Sequence, residues 1–306
     1  MKILVTGGAG FIGSHLTRLL MERGEDVIVL DNLATGLREN LPAGVILLEA
    51  DVCSEGARKL MAAGGFDAIV HLAAQTMVDA SIRDPLYDER NNIGGMVNVL
   101  EAARTGGVKR VVFSSTAAVY GDVPESALPI REDRTASPLS FYGLSKVVSE
   151  KYMELYHQLY GLDYVVLRFA NVFGERQGEG GEGGVISIFT KKIAYGEGIS
   201  IFGDGNQTRD FIYAGDIASG IYAALKTDRV NEVYNLSTET ETSLKELVQL
   251  LGDVAGKPIQ PEFSAPREGD IYRSVLSNRK AMEALRWKPE MPMKEALRRT
   301  YGHFLK

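Results

Sequence analysis

The stretch KILVTGGAGFIGSHL, residues 2–16, restricts the fold more than any other part of the chain. An apolar run passes directly into Gly7, Gly10 and Gly13, spaced three apart, and then into an amphipathic stretch over residues 12–23. Glycine at that spacing permits a tight turn, close approach of backbone to an anion, and close helix–strand contact, with the helix N-terminus facing the anion. The rhythm repeats downstream. DVIVL, VILLEA, AIVHLAA, RVVFSS and YVVLRFA are near-continuous apolar runs, as strands buried on both faces of a parallel sheet would be. Helical patterns at 84–105 and 141–160 lie between them, which predicts a doubly wound α/β sheet over residues 1–170. Beyond it GERQGEGGEGG, 174–184, has no apolar periodicity and reads as a mobile loop. Helical patterns at 185–195, 214–226, 243–254 and 292–305 then alternate with short strands near 199–202, 232–236 and 260–263. These predict a smaller α/β C-terminal lobe within 171–306, with a segment near 211–237 returning to the first domain.

The second strand ends in Asp31. A carboxylate there accepts hydrogen bonds from both hydroxyls of a ribose and repels a 2′-phosphate. No basic residue follows in Asn32, Leu33 or Ala34, so the expected cofactor is NAD rather than NADP. Asp51 and Val52, after the third strand, are placed either against the adenine edge or in an exposed turn.

FYGLSKVVSEKYM, 141–153, sets Tyr142 and Lys146 four residues apart, so both side chains share one face of a helix. A free phenol, with a pKa of about 10, is a poor base at neutral pH. An ammonium beside it, with a positively charged nicotinamide, stabilises the phenolate; lowering the pKa by about three units takes roughly 4 kcal/mol. Thr116 ends a strand at the carboxyl edge of the sheet, where its hydroxyl meets a substrate oxygen and helps carry the proton. Ser114 and Ser115, just before it, are expected to satisfy local backbone groups.

Other features bound the answer. A net charge of -6 argues against nucleic acid or anionic membrane as a partner. Cys53 is the one cysteine, so no internal disulfide forms. A strand starting at Lys2 leaves no room for a signal peptide, and no apolar run reaches membrane-spanning length; a soluble cytoplasmic protein is the expectation. His15, His71, His157 and His303 lack metal-ligand spacing, so no metal site is expected. Tyr152, Tyr156 and Tyr160 recur every four residues and read as a packing face.

Taken together, TGGAGFIG, Asp31, HLAAQ (71–75), SSTAAVYG (114–121), YGLSK and RFANVFG (168–174) resemble the extended short-chain dehydrogenase/reductase family, and within it the nucleotide-sugar 4-epimerases. The resemblance spans the chain and includes FGDGNQTRDFIYAGD (202–216) and PREGD (266–270). It implies a Rossmann-type first domain, bound NAD, a UDP-hexose substrate such as UDP-glucose or UDP-galactose, and a homodimer through helices near 84–105 and 141–160. It further implies that Tyr142 is the base, Thr116 its hydroxyl partner, and Lys146 a ligand of the nicotinamide ribose. Gly7, Phe11, Ile12, Asp31, Asn32, Asp51, Val52, Leu72, Ala73 and Ala74 would border the cofactor, with Asn92 near it. Where some members carry a cofactor-contacting lysine, this chain has Thr76.

The resemblance assigns Asn171, Arg209, Arg267 and Asp270 to the nucleotide-diphosphate pocket, a use that suits the planar charged fork of arginine. Ion pairs of Arg209 with Asp210 or Asp204, and of Arg267 with Glu268, are the other reading. Phe202 would pack near uracil or in the core. Ser274 falls where members narrow for plain hexoses carry a tyrosine, so space for an N-acetyl group is expected. Related dehydratases carry Asp-Glu after the catalytic threonine, and decarboxylases keep a glutamate nearby. Here Ala117 and Ala118 stand there, and neither moves a proton. The alternatives are a UDP-glucuronate 4-epimerase or decarboxylase, a 4,6-dehydratase, and a non-catalytic NAD-binding regulator.

Overall fold

A computed structural model describes residues 1–178, 183–266 and 271–305. Six strands form in the first 170 residues: β1 (Lys2–Thr6), β2 (Asp26–Asp31), β3 (Ile46–Glu49), β4 (Ala68–His71), β5 (Arg110–Thr116) and β6 (Asp163–Phe169). Later come β7 (Asn171–Phe173), β8 (Ser200–Phe202), β9 (Thr208–Arg209), β10 (Phe211–Tyr213), β11 (Glu232–Leu236), β12 (Thr242–Ser243), β13 (Glu262–Ser264) and β14 (Arg273–Ser274). The helices are α1 (Phe11–Glu22), α2 (Glu55–Ala63), α3 (Val78–Arg83), α4 (Pro85–Glu89), α5 (Gly95–Gly106) and α6 (Phe141–Tyr160). In the second half they are α7 (Val185–Ala194), α8 (Ala214–Lys226), α9 (Leu244–Ala255), α10 (Arg279–Ala284) and α11 (Met293–Phe304).

The main sheet has seven parallel strands in the order β11-β6-β5-β4-β1-β2-β3. Strand order reverses between β1 and β4, where the carboxyl ends diverge and leave a crevice. The continuous apolar runs are explained by burial on both faces. Ile3 and Val5 of β1 join Leu16 and Leu20 of α1 in one core, whereas Leu4 between them joins Val99 and Leu100 of α5 and Met153 of α6 in the other. Burying each such side chain contributes about 1.5–3 kcal/mol. The chain returns to this sheet late: α8 packs on α1, and β11 pairs with β6 as the outermost strand. A third core, with Phe173, Phe189, Ile201, Leu247, Leu251 and Leu297, lies under α7, α9 and α11.

Three differences from the sequence expectation have physical causes. The helical pattern at 84–105 is interrupted by a π-turn at Arg90–Gly94, where Asn92 spends its side chain on other segments. Helix α2 escapes the pattern because only Ala57 and Met61 of its nine residues are buried. β7, β9, β10, β12 and β14, of two or three residues each, are too short to show a period. Part of the expected loop at 174–184 lies outside the described residues; its first part is tied down, with the Tyr213 hydroxyl donating to Glu175 and Gln177 Nε2 donating to the Val172 carbonyl. No helix among the described residues is long and apolar enough to cross a membrane.

Candidate active site

A cleft of about 780 Å³ opens at the strand-order reversal. Its floor is the glycine turn. Gly7 has φ +72, and a Cβ built on it would lie 2.6 Å from the Ala73 nitrogen; one on Gly13 would lie 2.1 Å from the Gly7 carbonyl oxygen. Both positions exclude any side chain. Gly10 caps α1 without a side-chain bond, and no acid occupies the first turn, so the first N–H groups of α1 are left for an anion at the cleft. This cradle fits the pyrophosphate of a dinucleotide. Phe11 and Ile12 also line it.

Asp31 closes the adenosine end. Its Oδ2 accepts the Ala9 N–H at 2.9 Å and its Oδ1 the Leu33 N–H at 2.9 Å, so the glycine turn aims the carboxylate. Burial raises its pKa, and the two N–H donors oppose that rise. Asn32, Asp51, Val52, Leu72, Ala73 and Ala74 line the same cleft. Asn92 does not. It is buried behind the wall, where Oδ1 accepts the Gln75 N–H at 2.8 Å and Nδ2 donates to the Gln75 carbonyl and Ser145 Oγ. Its role in this geometry is to clamp the loop after β4 to α6.

Thr116, Tyr142, Lys146 and Asn171 line the cleft with them. Helix α6 presents its first turn there because Ser140 Oγ accepts the Gly143 N–H at 3.1 Å and fixes the helix start; Gly161, at φ 70, ends it. Lys146 follows one turn after Tyr142. The residue is 3% exposed, and its ammonium donates to the Ser114 carbonyl at 2.9 Å and lies 5.9 Å from the Tyr142 ring centre. Burial lowers the Lys146 pKa to about 8, against the opposing pull of Asp88 and Glu150. His71 is also buried, and burial followed by the Lys146 charge lowers its pKa to about 3; its Nδ1 is 2.7 Å from Thr6 Oγ1. Thr116 Oγ1 accepts the Ala118 N–H at 3.2 Å, which folds Ala117–Val119 into a single 3-10 turn directly after it. Among the described residues the carboxylates lining the cleft are Asp31, the last residue of β2, and Asp51, two residues beyond β3.

Phe202, Arg209 and Ser274 do not line this cleft. Arg209 and Ser274 are register partners on the three-stranded sheet β12-β9-β14, and Arg209 Nη1 donates to the Thr208 carbonyl at 2.8 Å. Phe202 ends β8, and its carbonyl accepts Gln207 Nε2 at 2.6 Å. Asp210, offered above as a partner for Arg209, accepts from Thr238 N, Thr238 Oγ1 and Leu276 N. Arg267 and Asp270 lie outside the described residues. Sequence reasoning missed Arg176, which lines the cleft and whose Nε donates to Ser14 Oγ at 2.8 Å. The signal was its place two residues after RFANVFG, in a stretch read only as loop. No group of three or more His, Cys, Asp or Glu among the described residues is arranged to hold a metal ion.

A doubly wound sheet with a glycine cradle, an acid at the end of β2 and a Thr–Tyr–Lys set at the same opening defines a dinucleotide-dependent α/β enzyme of the short-chain type. Residues 3–237 match the NAD dependent epimerase/dehydratase family, and the chain belongs to that family. It is 39% identical over 310 residues to the UDP-glucose 4-epimerase of Mycolicibacterium smegmatis, an alignment covering 99% of this chain and 98% of that protein. The crystal structure of UDP-glucose 4-epimerase with UDP-glucose from Thermotoga maritima superposes with a TM-score of 0.94 at 39% identity, covering 99% of this chain and 98% of that one. That of the Thermus thermophilus UDP-glucose 4-epimerase in complex with NAD gives 0.90 at 41% identity, covering 99% of both chains.

Proposed function

We propose that this enzyme interconverts UDP-glucose and UDP-galactose by NAD-dependent epimerisation at C4. The observation that carries the reading is one cleft lined by the glycine cradle, Asp31, Thr116, Tyr142 and Lys146, whose described lining carboxylates are Asp31 and Asp51 alone. Bound NAD would supply a reversible hydride acceptor for sugar C4, so that a transient 4-keto sugar could regain the hydride on its opposite face. Gly7, Gly10 and Gly13 would seat its pyrophosphate, Asp31 its adenosine ribose and Lys146 its nicotinamide ribose. Tyr142 Oη removes the proton from the 4-hydroxyl and gives it back, and Lys146 holds the phenolate charge. Thr116 Oγ1 fixes the 4-oxygen against Tyr142.

Dehydration needs an acid to protonate the departing C6 hydroxyl; Ala117 and Ala118 supply none, and this favours return of the hydride. In the same reading residues 1–170 with 211–237 form the NAD-binding domain, and the rest of 171–306 receives the nucleotide sugar through Asn171, Phe202, Arg209, Arg267 and Asp270. Ser274, in place of a bulky side chain, admits the N-acetylated pair. A panel of nucleotide sugars with products resolved by chromatography tests this. UDP-galactose should yield UDP-glucose, and UDP-N-acetylglucosamine its 4-epimer; a 4-keto-6-deoxy or decarboxylated product would overturn the assignment. Failure of the N-acetylated pair alone would remove the Ser274 role.

The enzyme is further read as a cytoplasmic homodimer joined through the helices near 84–105 and 141–160, where Leu86, Leu155, Leu159 and Tyr160 are exposed. Tyr156 packs inward, its hydroxyl donating to Glu101 at 2.7 Å, and so does not belong to that face. Leu155→Glu with Leu159→Glu is expected to give a monomer in sedimentation velocity; an unchanged dimer would refer the interface to another surface.

A further inference from the structure

Behind the cleft wall runs a polar connection that the reaction does not itself use. Glu150 lies on α6 eight residues after Tyr142 and four after Lys146, on the same helical face. It is 9% exposed and meets Arg168 of β6, which is 7% exposed, in a two-point contact: Nε to Oε1 at 3.0 Å and Nη2 to Oε2 at 2.6 Å. Each partner then reaches β5 and the turn after it. Ser115 Oγ donates to Glu150 Oε1 at 2.5 Å, and Arg168 Nη1 donates to the Tyr120 hydroxyl at 3.0 Å. The Tyr120 hydroxyl in turn donates a hydrogen bond to Asn235 Oδ1 at 2.7 Å, anchoring that end on β11.

Ser115 and Tyr120 bracket the segment that holds Thr116, Ala117 and Ala118. The two arms of one buried ion pair therefore pin both ends of that segment to the helix bearing Tyr142 and Lys146. A buried ion pair adds little stability over well-packed apolar residues of similar volume, whereas its fixed geometry specifies one arrangement. We propose that the Glu150–Arg168 pair, through Ser115 and Tyr120, is the positioning element that sets Thr116 against Tyr142 and Lys146. This rests on the epimerase reading above, because that reading makes the Thr116–Tyr142 separation matter. A misplacement of about 1 Å at a reacting group costs about 10²-fold in rate.

The test is the charge-balanced double variant Glu150→Met with Arg168→Met, alongside the one-arm variants Ser115→Ala and Tyr120→Phe. Each is purified with NAD and assayed for kcat, KM, thermal midpoint and amide hydrogen exchange. The double variant should keep NAD and a midpoint within a few degrees, since apolar replacement of a buried pair is close to neutral. Its kcat should fall about 10²-fold with KM within about two-fold, and amides of Ser115–Tyr120 should exchange faster while those of β1 and β4 do not. The one-arm variants should each lose about 10-fold, and combining them should cost less than the product of the two losses. A folded, NAD-loaded double variant with kcat within about two-fold of the parent would overturn the proposal, as would unchanged exchange over Ser115–Tyr120. If the double variant does not fold, the one-arm variants decide by the same two criteria. If the parent epimerises no nucleotide sugar, the functional reading fails, and the exchange data still judge the positioning role.

Discussion

Tyr142→Phe is expected to lower kcat by about 10³-fold, roughly 4 kcal/mol of transition-state stabilisation, while the protein keeps its NAD. The substitution removes one oxygen and leaves the ring, so Lys146 stays over the Phe113 ring, 4.7 Å from its centre, and stays bonded to Ser114. Cofactor seating depends on the glycine turn and on Asp31, which the change does not touch. KM should move little, because the phenol acts on a proton whose transfer belongs to the transition state. Steady-state kinetics and the absorbance of released NAD check both halves. Activity within about 10-fold of the parent would assign the base elsewhere.

Gly13→Ala should produce the largest structural loss. The added Cβ would meet the Gly7 carbonyl oxygen at 2.1 Å and Gly8 Cα at 2.7 Å, atoms of a backbone turn that has no side-chain freedom with which to yield. Relief requires α1 to move off the turn. That movement spoils both the anion cradle and the packing of Leu16 and Leu20 against β1. A destabilisation of about 3 kcal/mol follows, at the upper end for overpacking, with a thermal midpoint lower by about 5 °C. NAD affinity should fall by about 10²-fold or more, as two or more charge-assisted N–H contacts lose their geometry. Gly44→Ala is the control. Gly44 has φ +86 but nothing within 4 Å of its added Cβ, so only backbone strain of about 1 kcal/mol is expected, with NAD binding unchanged. Equal losses at the two positions would mean that backbone strain, not the close approach at Gly13, governs the turn.

The legible part of the molecule was the part written in periodicity and turn chemistry. Six apolar runs and the glycine turn announce the parallel sheet because a strand buried on both faces has almost no polar positions to spare. Tyr142, Lys146 and Thr116 were legible because helix spacing and a strand end already fix where such side chains point. What sequence did not disclose is what faces a buried polar group across the fold. Asn92 is an asparagine in a helical pattern until the structure pairs it with Gln75 and Ser145. Arg168 was the one hint within reach, since a charge inside the apolar run YVVLRFA must have a partner; only the fold shows that the partner is Glu150. The substrate lobe was the least legible, because its sheets are built from strands of two and three residues whose pairing is set by tertiary contacts rather than by pattern.

The central claim is that hydrogen leaves C4 as hydride and returns to the same carbon without meeting solvent. Incubating UDP-galactose deuterated at C4 with the purified enzyme in ordinary water, with no NAD added, tests it directly by mass spectrometry and proton NMR of the product. UDP-glucose with the deuterium fully retained at C4 is the predicted result; loss of the label to water would contradict it.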